Sequence, residues 1–284
     1  MTVTVVGGGL AGCEAALQLA QRGHEVRLLE MRPVRNTEAH QTGDLGELVC
    51  TNSFKSEGPE NAHGQLKREM RVLGSVLLRS ADQSRVAAGS ALAVDRSLFS
   101  QAMTAAVEAE ARVRVVRGEC TELPEGPAII ATGPLTSDAL SGAIQTVLGD
   151  GGLAFFDAIA PIVHRDSVDE SVVFEAGRFD EDSDYLNCPM NEEEYVAFID
   201  ALNSGQAYEG HDWETVPYFE GCLPVEVMAS RGLDTLRFGP MKPIGLTDPR
   251  TGDRPWAVVQ LRREDRAGQM WNMVGFQTRL RVGE

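Results

Sequence analysis

A doubly wound α/β domain over residues 1–150 and a mixed α+β domain over 151–284 are predicted by three observations. Residues 3–33 read as an unbroken strand–turn–helix–strand sequence. A later apolar run, Ala128–Ala131, stops at Thr132-Gly133. After residue 150 the texture changes to strand-like pieces separated by Gly239-Pro240, Lys242-Pro243, Asp248-Pro249 and Arg254-Pro255 turns, which is the pattern of segregated strands and helices rather than of βαβ alternation.

The opening segment is VTVVGGGLAGCEAALQLAQRGHEVRLLEMRP. Val3, Val5 and Val6 make a β-branched strand, and a helical period runs from the turn to Gln21. His24–Glu30 reads as a second strand ending in an acid. The turn Gly7-Gly8-Gly9-Leu10-Ala11-Gly12 fits G-x-G-x-x-G. In that pattern the first Gly permits the tight turn, the second lets backbone approach a pyrophosphate, and the third lets helix and strand pack closely. The helix amino terminus adds unpaired N–H groups and a positive dipole end. Glu30, 18 residues beyond Gly12, stands where an acid accepts hydrogen bonds from ribose hydroxyls. The motif by itself fits NAD or FAD. Its start at residue 3 and the strand ending Ala131-Thr132-Gly133, which brings backbone to the carboxyl edge of the sheet, both favour FAD, with Thr132 and Gly133 beside it.

Between these landmarks, His63–Ser80 reads as a helix with Leu66, Met70, Leu73 and Leu77 on one face. Ala91–Asp95 is a short strand, and Asp95 caps a helix over Arg96–Glu110 with Leu98, Met103 and Val107 inward. Val113–Arg117 and Ala128–Ala131 read as strands, the latter buried. In the second domain Leu153–Val163 and Ala257–Leu261 are strand-like. Asn191 caps a helix reaching Leu202 with three glutamates in its first turn.

The chain of 284 residues carries a net charge of −16, unevenly spread. Residues 1–149 hold 14 basic and 17 acidic groups, residues 150–220 hold 2 and 18, and residues 221–284 hold 10 and 7. That argues against non-specific nucleic-acid binding while leaving a local basic face open on the last segment. Arg262, Arg263, Arg266, Arg279 and Arg281 are phosphate-binding candidates there, against an ordinary ion-pair surface with Glu264 and Asp265. The absence of a charged-then-apolar leader and of any long apolar run argues against a signal peptide or a transmembrane helix. Five cysteines without a C-x-x-C argue against a disulfide framework or zinc site and for a reducing cytoplasm.

Cys50, in GELVCTNSFK, and Cys222, in YFEGCLPVE, stand in loop contexts where a thiol gains access and becomes a thiolate; each also reads as a buried small hydrophobe. Cys13 and Cys120 read as buried, and Cys188 is open. His40 and His63 are scattered and match no metal-ligand spacing.

The segments GGGLAGCEAA, EMRP, LVCTNSFKSE, YLNCPM, YFEGCLPVEVMA, RFGPMKP and MVGFQTRL together resemble the FAD- and folate-dependent tRNA (uracil-5-)-methyltransferases, TrmFO. The resemblance implies C5-methylation of the T-loop uridine (position 54) of tRNA. The carbon would come from 5,10-methylenetetrahydrofolate, and reduced FAD, recharged by NADPH or NADH, would supply the reducing equivalents. By position it implies Cys222 as the nucleophile that adds to uracil C6, Cys50 as the base that takes the C5 proton, and the Gly7–Gly12 turn as the FAD loop. In the family a C-terminal third follows the segment matching FQTRL and closes the FAD domain, so an exposed sheet edge or apolar face and weakened flavin binding are implied for residues 1–284. Competing expectations are an inactive fragment with weak nucleotide or RNA binding, a relative that modifies the wobble uridine, and a generic NAD-linked or flavin oxidoreductase sharing only the fold.

Overall fold

A computed structural model describes residues 1–37, 39–149, 160–180, 183–206 and 223–281. The chain divides into two compact units, Met1–Arg85 with Leu92–Asp157, and Val86–Ala91 with Ala158–Glu284.

In the first unit, β1 (Thr2–Val6), β2 (Glu25–Glu30), β6 (Val113–Arg117) and β7 (Ala128–Ile130) form a parallel sheet in the order β6-β2-β1-β7. Register sets Glu30 opposite Arg117 and Val6 opposite both Leu29 and Ile130, so the carboxyl ends of all four strands lie side by side. Helix α1 (Leu10–Gln21) turns Cys13, Ala16, Leu17 and Ala20 inward. The small Cys13, Ala16 and Ala20 side chains allow the helix to sit close on the sheet. The core adds Leu28, Leu45, Leu78, Leu92, Phe99 and Met103. Each such fully buried side chain contributes roughly 1.5–3 kcal/mol.

The helix read over His63–Ser80 is two helices, α2 (Ala62–Val72) and α3 (Val76–Gln83). Gly74 at φ +79° breaks the chain between them, and Ser75 caps α3 by accepting from the Leu78 amide. The apolar period runs through this break, so it does not describe one face: Leu77 is buried, whereas Leu66 and Leu73 are exposed. Two short strands, β4 (Arg85–Val86) and β5 (Ala91–Val94), lie in a sheet with β3 (Ser53–Ser56) in the order β3-β5-β4. Asp95 caps α4 (Arg96–Glu108) as expected, with Phe99 rather than Leu98 on the buried side.

The expectation of a buried strand at Ala128–Ala131 is corrected. Strand β7 stands at the sheet edge, and Ile129 and Ile130 are each 37% exposed. The apolar run marks a strand shaped to be covered on both sides, but among the described residues only β1 pairs with it. The following helix, α5 (Asp138–Leu148), likewise leaves Val147 and Leu148 exposed.

The second unit is built on an antiparallel sheet of β8 (Ile162–His164), β9 (Phe174–Glu175), β10 (Tyr185–Met190), β11 (Ala257–Arg263) and β12 (Met270–Met273), in the order β8-β12-β11-β10-β9. Most of the strand read at Leu153–Val163 lies outside the described residues. Strand β11 is buried on both faces. Ala257, Val259 and Leu261 pack with Tyr195 and Ile199 of α6 (Glu192–Ser204), with α7 (Val225–Ser230) and with α8 (Thr235–Phe238). On the opposite face the Gln260 side-chain amide donates to Asn187 Oδ1 at 2.9 Å, which satisfies two buried polar groups.

Helix α6 opens on a reciprocal cap in which Asn191 accepts from the Glu194 amide and Glu194 accepts from the Asn191 amide. Replacing Asn191 by Ala removes one of the two bonds and is expected to cost about 1 kcal/mol. Urea unfolding should show a lower midpoint with an unchanged slope; an unchanged midpoint would refute the assignment of stability to this cap.

Candidate functional site

The carboxyl edge of the parallel sheet opens into a cleft lined among others by Gly7, Gly9, Glu30, Arg32, His40, Glu119, Cys120 and Thr132. Its floor is the turn between β1 and α1. A methyl group on Gly7, where φ is +100°, would lie 2.5 Å from the Ala131 carbonyl oxygen. One on Gly12 would lie 1.8 Å from the Gly7 carbonyl oxygen, and one on Gly8 would strike Leu45 and Glu30. A methyl on Gly9 meets no atom within 4 Å. Three glycines are therefore required by the protein's own packing, and Gly9 alone faces open space. Leu10 and Ala11 occupy the first turn of α1, whose capping residue Gly9 carries no side chain to satisfy the leading N–H groups.

Glu30 lies beneath this turn, 5% exposed. One carboxylate oxygen accepts from the Gly8 amide at 2.7 Å, and the other accepts from the Arg32 amide at 2.9 Å and from Arg32 Nε at 3.0 Å. Burial alone would raise its pKa, but the Arg32 guanidinium and amide together with the Gly8 amide outweigh it and hold the carboxyl below its ordinary range. The Cys13 thiol donates to the Gly8 carbonyl at 3.2 Å and is pushed up to about 12, first by burial and then by the nearby Glu30 charge. It is a neutral structural donor, in accord with its reading as buried.

The rest of the rim comes from chain ends that parallel topology brings together. Thr132 follows β7, its hydroxyl 2.6 Å from that of Thr136. Gly133, at φ +66°, begins a short 3₁₀ turn and does not line the cleft. Glu119 and Cys120 follow β6, and Glu119 pairs with Arg35. Cys120 is thus half-exposed on the cleft and not the buried hydrophobe expected. Its thiol is raised by burial and donates to the Glu122 carbonyl at 3.1 Å. Nothing local in the sequence marks Glu119 or Cys120; the signal was the parallel strand order, which aligns the end of β6 with Glu30. His40 lines the same cleft, its Nδ1 2.6 Å from the Thr37 hydroxyl. Burial first and the Arg32 charge second lower its pKa, which favours neutral imidazole.

Cys50 is half-buried on the loop between β2 and β3 and does not line this cleft. Its segment is held by Arg96, whose Nη1 donates to the Leu48 carbonyl at 2.7 Å and whose Nη2 donates to the Cys50 carbonyl at 3.5 Å. Asn52 adds a bond from its side-chain amide to the Val94 carbonyl. Cys222 lies outside the described residues. Cys188 sits half-buried in β10 against the core of the second unit, pushed up to about 11 by burial. His63 is exposed. The five candidate arginines do not make a single basic face: Arg262 is buried in β11, whereas Arg266 and Arg281 are exposed. Among the described residues no group of acids, histidines and cysteines could hold a metal, and no helix is long and apolar enough to cross a membrane.

A glycine turn at the β1–α1 junction, an acid ending β2 and a parallel sheet open at its carboxyl edge define the dinucleotide-binding, doubly wound class. The chain belongs to the family described as Glucose inhibited division protein A, whose family model matches residues 2–284. Curated relatives called methylenetetrahydrofolate--tRNA-(uracil-5-)-methyltransferase TrmFO are 55% identical in Koribacter versatilis (strain Ellin345), covering 100% of this chain and 65% of that protein. In Rubrobacter xylanophilus the identity is 58%, covering 99% and 63%. The chain therefore spans less than two thirds of the length of these relatives. Among solved structures, the GidA-related protein from Thermus thermophilus is 16% identical over 58% of this chain and 72% of that one, with a TM-score of 0.32.

Two outcomes follow from the turn. Gly12→Ala should prevent folding of the first unit, whereas Gly9→Ala should leave thermal stability within about 0.5 kcal/mol and weaken nucleotide binding alone. Equal thermal shifts in the two variants would refute this division of roles. The stabilisation from Glu30 is complete above the unfolded carboxylate pKa of about 4.3 and is lost as pH falls through its lower folded value. The stability difference between wild type and Glu30→Gln should accordingly shrink on acidification, and a difference independent of pH would contradict the ionised state.

Proposed function

We propose that the chain is the FAD-binding and uridine-engaging part of a folate- and FAD-dependent tRNA (uracil-5-)-methyltransferase acting in the cytoplasm. The reading is carried by 55 and 58% identity to proteins of that name over essentially the whole chain. The turn described above fits it. Gly9 leaves the approach to the helix amino terminus open, where a pyrophosphate would meet the leading N–H groups. Gly7–Gly12 would hold the pyrophosphate, Glu30 would face the ribose, and Thr132 would flank the group, with Gly133 next to it in the chain. When bound and reduced at the expense of NADPH or NADH, FAD supplies the electrons that convert a folate-derived one-carbon unit into a methyl group.

Two thiols account for the remaining chemistry. Uracil C5 becomes nucleophilic only after addition at C6. The Cys222 thiolate forms a bond to C6 of the T-loop uridine (position 54), and the C5–C6 π pair moves into an enolate. C5 would then bond to the methylene carbon of 5,10-methylenetetrahydrofolate as one carbon–nitrogen pair returns to nitrogen. The Cys50 thiolate would take the C5 proton, and the freed pair would form an exocyclic methylene at C5 as the second carbon–nitrogen bond releases tetrahydrofolate. The two electrons and proton that reduced FAD would supply convert that methylene into the methyl group, and the C5–C6 double bond is restored as Cys222 departs as thiolate. The uridine has to leave its stack in the T-arm, a cost of a few kcal/mol.

A T-arm RNA with 5-fluorouridine at the target tests the assignment, because C5 then bears no proton to remove. With methylenetetrahydrofolate and reduced flavin present, a denaturation-resistant protein–RNA adduct should accumulate and disappear in Cys222→Ala. An adduct that survives this substitution places the nucleophile elsewhere.

A further inference from the structure

We infer that Arg32 is a positioning residue coupling the nucleotide-binding turn to the loop that carries Cys50. Its buried guanidinium joins Glu30, which holds the Gly8 amide, to Glu47, which holds the loop backbone. The inference rests on the dinucleotide reading given above.

Arg32 is 1% exposed, and its guanidinium is paired in two directions. Nε meets Glu30 at 3.0 Å, and Nη1 meets Glu47 at 2.7 Å and the Thr42 carbonyl at 3.3 Å. Glu47 in turn accepts from the Gln41 amide at 2.8 Å, the Thr42 amide at 3.2 Å and the Thr42 hydroxyl at 2.8 Å. A second strut runs beside the first, with the Gly46 amide donating to the Gly8 carbonyl at 2.8 Å. Arg117 braces the assembly by donating to the carbonyls of Arg32 and Gly43, both at 2.9 Å. Arg96 then fixes Leu48 and Cys50. The hydrogen-bonded path from Gly8 thus reaches Gly46 and Glu47, and the chain runs on directly from Glu47 into the Leu48–Cys50 stretch that Arg96 holds.

The chemistry at Arg32 needs a planar fork. One nitrogen addresses Glu30 while another addresses Glu47, and the point charge of a lysine cannot reproduce both directions. A ligand that fixes Gly8 and Glu30 therefore restrains Gln41 and Thr42 through Arg32, and the reverse holds by linkage. His40, on the same loop, lines the nucleotide cleft, so the coupled segment borders the ligand.

The test uses the 284-residue chain, with FAD and with ADP as separate probes, and reads equilibrium affinity, thermal melting and hydrogen exchange of the 40–50 segment. In the wild type, either ligand should slow exchange at the Gln41 and Thr42 amides. Arg32→Lys should weaken both ligands by about tenfold or more and abolish that slowing at saturation. Glu47→Gln keeps a folded, near-isosteric side chain and should also abolish the slowing, with a smaller loss of affinity. A residue that merely supports the fold would lower the melting temperature and leave ligand-dependent slowing intact. Wild-type affinity and wild-type slowing in a cooperatively melting Arg32→Lys protein overturn the proposal. If Arg32→Lys does not fold, retained slowing in Glu47→Gln overturns it and lost slowing supports it. Wild-type protein that binds neither FAD nor ADP overturns the dinucleotide reading itself and this proposal with it; binding in the wild type with unaltered variants overturns this proposal alone.

Discussion

The burial of the Glu30 carboxylate imposes the condition around which the first unit is organised. A charge withdrawn from water is tolerated only with donors at close range, and here they are the Gly8 amide, the Arg32 amide and the Arg32 guanidinium. The Gly8 bond shapes the turn that precedes α1. The Arg32 bond draws in a second acid, Glu47, which orders the chain after β2. Gly8 leaves no space for a side chain because Leu45 and Glu30 already fill it. The turn is consequently set by the protein's own electrostatics and packing, with Gly9 left as the open approach to the helix terminus.

Parallel topology supplies the rest of the cleft. Because β6 lies beside β2 and β7 beside β1, residues distant in sequence such as Glu119, Thr132 and His40 meet at one carboxyl edge. The thiols divide along the same physical lines. Cys13 and Cys188 are raised by burial and act as neutral packing groups, whereas Cys50 sits on a backbone held at Leu48, Cys50 and Asn52. The second unit follows different rules, with an antiparallel sheet whose central strand is buried on both faces and whose Asn187–Gln260 pair satisfies the polar groups carried inside.

Features governed by local sterics and capping were legible in the sequence. The Gly7–Gly12 spacing expresses one contact within a few residues, the close approach of Gly12 to the Gly7 carbonyl, and Asp95 and Asn191 announce their helices because a cap bond spans one turn. Features that depend on partners were not. The apolar run at Ala128–Ala131 reads as buried, yet burial is decided by what flanks β7, and Ile129 and Ile130 remain exposed. The period from Leu66 to Leu77 crosses Gly74, whose positive φ ends one helix and starts another. Strand β10 carries Asn187 and Pro189 between apolar neighbours and so lacks a clean alternation. Glu119 and Cys120 join the cleft through strand order alone. Of the two candidate thiols, Cys50 is placed on its loop, and Cys222 lies outside the described residues.

If the Glu30-ordered turn of residues 1–149 is a preformed dinucleotide site, titration of the 284-residue chain with FAD, followed by flavin fluorescence and repeated with ADP as competitor, should show saturable binding of one flavin per chain that ADP displaces, because both ligands require the Gly7–Gly12 turn. Flavin that does not bind, or that binds without competition from ADP, rules out such a site.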